Sequence, residues 1–242
     1  MTSEEVLRHL NNVWTHGEPS SELQRAGVLV HVLDNTEANG EPWLPCRQQD
    51  WCGQFGDRIS ASLINAVQPT LFSQSTAGLI LSPHTPIHCS YPADGGTMPK
   101  VCGDGAPEGC VPGCSSQDGT GQPAWCSHDD AWQMSGPANI WNCAFRPEDL
   151  EAMLRHHRNE RRDQYNEIVV DTESWKDSLP NIVMAIFWLR SPYLTADQLW
   201  GGEQQARGVH SAFRERYPGA SVPLVSLDTT VEEGAFEMVW AS

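Results

Sequence analysis

The sequence predicts a single α+β domain over residues 1–242: a mixed β-sheet with flanking helices, and a Cys/Gly/Pro-rich, cross-linked irregular loop region over 92–143. Three observations predict it. Strand-like and helix-periodic runs follow one another without the regular alternation of a parallel α/β fold. A chain of 242 residues can bury a real core as one large domain. All eight cysteines lie between Cys46 and Cys143, with none in the 45 residues before or the 99 after, so a cysteine-rich middle separates two ordinary flanks.

The elements follow in order. Thr2 and Glu5 have capping-box spacing, and Val6, Leu7, Leu10, Val13 and Trp14 make one apolar stripe, which predicts a helix over 2–14. A short helix, Ser21 to Ala26, ends at Gly27. The run Val28 to Leu33 is apolar except for His31, the pattern of a buried central strand. Asp57 to Asn65 alternates, with Ile59, Ala61 and Leu63 on one face and Ser60 and Ser62 on the other. Ala77–Ser82 and Ile87–Tyr91 read as two strands joined by the Pro83–Pro86 turn. Segment 92–143 is expected to lie over one end of the sheet.

Pro147 suits a first helical position, Glu148 and Asp149 suit the N-terminal dipole, and Arg158, Arg161 and Arg162 the C-terminal one. Together they predict a helix over 147–162. Tyr165–Asp171 and Ile182–Leu189 read as strands. A helix over Thr195–Tyr217, broken or kinked near Gly201-Gly202, follows, and Val222–Leu227 reads as the last strand.

Fifteen basic against 31 acidic residues give a net charge of −16, split evenly: 13 acids and 5 bases up to residue 121, 18 acids and 10 bases after it. An acidic surface argues against nucleic acid and against anionic membranes as partners. No apolar run has membrane-spanning length, and the first ten residues lack the pattern of a signal peptide. An even cysteine count with Gly and Pro between the cysteines nonetheless points to disulfides and an extracellular or lumenal compartment. Eight cysteines allow about 105 full pairings, so the connectivity stays open, as does the alternative of reduced or metal-bound thiols.

Chemistry-bearing residues fall in several groups. His31 lies inside the first apolar strand, Ser60 and Ser62 in a later strand, and Glu167 in the strand YNEIVVD, followed by Trp175 and LPNIVMAIFW. That order loosely resembles the mono-ADP-ribosyltransferases. The resemblance implies that His31 holds the nicotinamide ribose and that Ser60 and Ser62 shape the pocket. It further implies that Glu167 stabilises the positive charge developing on the sugar. The serine strand here reads Ser-Ala-Ser, and Tyr165 stands two places before Glu167. The same residues also suit plainer roles: a core histidine, the solvent face of a strand, and an acid paired with nearby bases.

The segment HTPIHCSYPADGG carries His84, His88, Cys89 and Asp94. With Cys102, Cys110 and Cys114, and with His128, Asp129 and Asp130, it has donors for zinc, but no Cys-x-x-Cys pair, and no metal ligand is assigned. Ten Trp is a high count, and Trp43, Trp51, Trp125, Trp132, Trp141 and Trp200 read as loop residues. Trp beside acids and amides stacks on sugar rings, or packs against disulfides. Trp125, Trp132, Asp94 and His88 are the candidate ligand contacts. The basic knot Arg155, His156, His157, Arg158, Arg161 and Arg162 is explained by a helix C-terminus. There is no Gly-x-Ser-x-Gly elbow and no phosphate-cradling loop.

The expected function is a secreted or lumenal, disulfide-stabilised protein that binds or processes carbohydrate. Its ligand is a glycan or small molecule, its cofactor unknown, and its key carboxylate Glu167. The alternatives are an NAD-dependent transferase of the kind resembled above and a non-catalytic subunit of a larger assembly.

Overall fold

The structure, a computed structural model, describes residues 1–17, 23–33, 58–71, 76–91, 147, 150–160, 165–171 and 180–241. The Cys-rich segment 92–143 lies outside them. Helix α1 is Ser3–His16, and its capping box is formed as the sequence predicts: Thr2 Oγ1 accepts from the Glu5 N–H, and the Glu5 carboxylate accepts from the Thr2 N–H. Helix α2, Leu23–Ala26, stops at Gly27, where φ is +153° and a Cβ would stand 2.5 Å from the Ile64 carbonyl oxygen.

The strands are β1 (Val28–Val32), β2 (Arg58–Ile64), β3 (Ala77–Leu81), β4 (Ile87–Tyr91), β5 (Glu167–Asp171), β6 (Val183–Leu189), β7 (Leu224–Leu227) and β8 (Phe236–Trp240). Helix α3 is Leu150–Glu160 and α4 is Ala196–Arg216. The eight strands form one sheet in the order β4-β5-β2-β1-β3-β6-β7-β8. Neighbours are antiparallel except β6 and β7, which run parallel. The architecture is the predicted α+β domain with a mixed sheet and flanking helices. Among the described residues, no helix is long and apolar enough to cross a membrane.

Alternation along the strands sends side chains into two cores. On one face, Leu29, Ile59, Ala61, Leu63, Leu79, Ile168, Val170 and Ile186 pack with Leu150, Met153 and Leu154 of α3 and with Ala206, Val209 and Phe213 of α4. On the other, Val28, Val30, Ile64, Ile80, Ala185, Phe187 and Val225 pack with Val6, Leu10, Val13 and Trp14 of α1. Trp14 is wholly buried, meets Phe236 edge-on at 5.9 Å, and donates its indole N–H to the Val231 carbonyl.

Two local expectations change. Helix α4 runs unbroken through Gly201 and Gly202. A Cβ at Gly202 would lie 2.7 Å from Thr76 Oγ1, so this glycine lets the helix approach the sheet closely rather than interrupting it. The Pro83–Pro86 turn joins β3 to β4 as the sequence predicts, and β4 then pairs with β5 at the far edge of the sheet. Finally, β7 is not the last strand. A register shift pairs Leu224 with Trp240 but Val225 with Met238, leaving Val239 as an extra residue. That bulge gives β8 three consecutive apolar residues and conceals its period of two.

Candidate functional site

Ladder register brings three of the four candidate residues onto one face. Strand β2 pairs with β5 so that Ile59 meets Val170, Ser60 meets Val169 and Ala61 meets Ile168. Ile59, Ala61, Ile168 and Val170 fill the α3/α4-side core. Ser60, Ser62 and Glu167 therefore share the opposite face with Val169, because residues two apart on a strand point the same way. Glu167 pairs with Tyr91 of β4, and Ser62 pairs with Val30 of β1. Glu167 is 1 % exposed and is the one carboxylate among the buried described residues. A buried acid is rare because desolvation penalises its charge, and such acids concentrate at functional sites.

Asn166 fixes the start of β5 beside it. Its Oδ1 accepts from the Leu63 N–H at 2.8 Å, and its Nδ2 donates to the Leu63 carbonyl at 2.7 Å. The amide side chain thus extends the β2–β5 ladder by one rung, immediately before Glu167. Asn166 is 1 % exposed, so these bonds are shielded from water. Nothing in the sequence singles out this asparagine, because its role comes from register between segments about a hundred residues apart.

His31 is placed differently. It lies opposite Leu79 in the β1–β3 ladder, on the α3/α4-side face with Leu29. The sheet separates its ring from the face of Ser60, Ser62 and Glu167, so the four residues expected to converge do not share one face. One contact of His31 is to backbone: Nδ1 lies 2.6 Å from the Ser60 carbonyl oxygen, which only accepts, so Nδ1 carries the proton. Burial lowers its pKa to about 4, against a smaller opposing effect of the Ser60 carbonyl. The neutral ring therefore holds the β2 backbone at Ser60 where the β1–β2 ladder, which pairs 28–30 with 62–64, has ended.

Other candidates are located only in part. Trp125, Trp132 and Asp94 lie outside the described residues, as do Cys102, Cys110, Cys114, His128, Asp129 and Asp130. His88 belongs to β4, with its side chain outside them. His84 is exposed in the turn after β3, where its N–H donates to Ser82 Oγ. Among the described residues, no group of three His, Cys, Asp or Glu side chains is placed to hold a metal ion.

Trp200 is on α4, not in a loop, and is 68 % exposed. Tyr193, just before the α4 N-cap, is 86 % exposed. The basic knot divides: Arg155 pairs with Glu151 at the surface, whereas His157 is buried in line with Leu150, Met153 and Leu154. Compared with known proteins, the chain matches no family model and no curated protein.

The arrangement has a defined chemical capacity. A carboxyl group sharing a sheet face with two serine hydroxyls can accept hydrogen bonds from hydroxyl donors, or stabilise nearby positive charge.

Proposed function

We propose that the protein binds or processes carbohydrate, with Glu167 as the carboxylate that meets the sugar and Ser60 and Ser62 beside it. The observation that carries this reading is the placement of a 1 %-exposed glutamate on the same sheet face as both serines. Trp125, Trp132, Asp94 and His88 are proposed as further sugar contacts. The clustered, even set of cysteines supports a disulfide-stabilised protein in a secretory or extracellular compartment. The transferase alternative requires His31 to act beside Glu167, and the division of the two by the sheet does not favour it.

The test uses a glycan panel scored for both binding and hydrolysis, with wild type and Glu167→Gln, which keeps the shape and removes the charge. We expect the variant to lose roughly tenfold or more, the size of one hydrogen bond to a charged group, while circular dichroism stays unchanged. A wild-type protein inert to the whole panel, or a variant that equals it, overturns the reading. Non-reducing intact mass tests the compartment: a mass low by about eight protons means four disulfides. Eight alkylatable thiols would remove that part of the proposal.

A further inference from the structure

The C-terminal strand is held at its two ends by different means. At its start, α1 grips the main chain of Phe236: the Asn11 Oδ1 accepts from the Phe236 N–H at 2.9 Å, and the Asn11 Nδ2 donates to the Phe236 carbonyl at 2.9 Å. Phe236 also meets Trp14. None of these contacts titrates near neutrality. At its end, past the Val239 bulge, β8 is held on α4 through Trp240. That ring lies 4.7 Å from the imidazole of His210 at an interplanar angle of 63°, and the Arg214 guanidinium lies 4.2 Å from its centroid.

His210 is 6 % exposed, and its Nε2–H donates to the Val222 carbonyl at 2.9 Å. We propose that the His210–Trp240 contact is an acid-sensitive latch: protonating His210 releases the end of β8 from α4 and bares the edge of β7, while the Phe236 end stays anchored.

The charges around the ring fix the direction. On α4 itself, Arg207 and Arg214 flank His210, and both disfavour a third cation. Arg207 is paired with Glu203 and lies over Trp188, and Arg214 already occupies the Trp240 ring. Strands β6 and β7 carry no charged side chain, and the 217–222 segment brings none either. The acid of β8, Glu237, is paired with Arg190. Burial is the largest influence on His210 and acts in the same direction as the arginines. The Val222 carbonyl opposes both. The Trp240 face would otherwise attract an imidazolium, but Arg214 has taken that role. A released β8 end leaves the N–H and C=O groups of β7 unpaired, a template for another strand.

Amide hydrogen exchange of the intact protein tests this, with protection corrected for the chemical exchange rate. Between about pH 7.5 and 5.5, a window around the ordinary histidine value, protection at Met238–Trp240 should fall severalfold. Ile186 and Phe187 in the sheet centre report any global change, and the fall at β8 should exceed theirs. In His210→Gln, whose amide can still donate to the Val222 carbonyl, the selective fall should vanish. Arg214→Gln supplies a second test: it loosens β8 at neutral pH but makes the acid response shallower. Protection at Met238–Trp240 that rises with acid, stays flat, or falls only in step with Ile186 and Phe187 overturns the latch. So does a selective fall that persists in His210→Gln.

Discussion

Replacing His31 by Gln should remove a specific share of the acid sensitivity of the fold. The ring is buried and its pKa is lowered from 6.5 to about 4, whereas the unfolded chain restores the ordinary value. Between those values the unfolded state binds more protons than the folded state, so stability rises with pH. The contribution is fully present above pH 6.5 and is lost as pH falls toward 4. That gap, at about 1.4 kcal/mol per pH unit, amounts to about 3 kcal/mol, a substantial part of the stability of an ordinary domain. Gln cannot titrate, and its amide can donate to the Ser60 carbonyl in place of Nδ1.

The assay is urea unfolding of both proteins at about pH 7.5, 6, 5 and 4, using the difference in free energy at each pH. Carboxylates common to both proteins cancel in that difference. Wild type should lose about 3 kcal/mol relative to His31→Gln across the series, with most of the loss below pH 6.5. Parallel curves down to pH 4 would show that the folded His31 titrates normally, and the reading of this ring as a buried neutral strut would fail.

Three further substitutions probe the scaffold. Asn166→Ala leaves the Leu63 N–H and carbonyl without their buried partner; the expected cost is about 1–3 kcal/mol in chemical denaturation, and a neutral result would mean that water replaces the amide at no loss. Gly202→Ala puts a Cβ 2.7 Å from Thr76 Oγ1 and 2.9 Å from its carbonyl oxygen, whereas Gly201→Ala meets nothing within 4 Å. The first should destabilise by about 1–3 kcal/mol, and the second should stabilise by up to about 1 kcal/mol through helix propensity. Equal effects at the two positions would refute close helix–sheet approach as the reason for Gly202.

Patterns within a few residues decided much of this protein at the level of sequence. Thr2 and Glu5 cap α1 through contacts three residues apart, and the apolar stripe from Val6 to Trp14 needs only helical period to be seen. Ile59, Ala61 and Leu63 separate from Ser60 and Ser62 by alternation alone. Glu167 could be placed on a strand, but its burial could not be read, since that depends on what the sheet packs against. Position across the sheet required the tertiary structure. Single residues near 30, 60 and 167 look interchangeable in a chain-order comparison, yet ladder register put His31 on one face and Ser62 with Glu167 on the other. Asn166 acquired its role from a pairing with Leu63, and Gly202 from Thr76, partners remote in sequence and invisible to any local period. The bulge at Val239 disguised β8 by the same logic, because an extra residue is defined only by the strand opposite. Local pattern thus determined which elements form. Long-range pairing decided which side chains meet, because hydrogen-bond register and close packing belong to pairs of segments and not to either one.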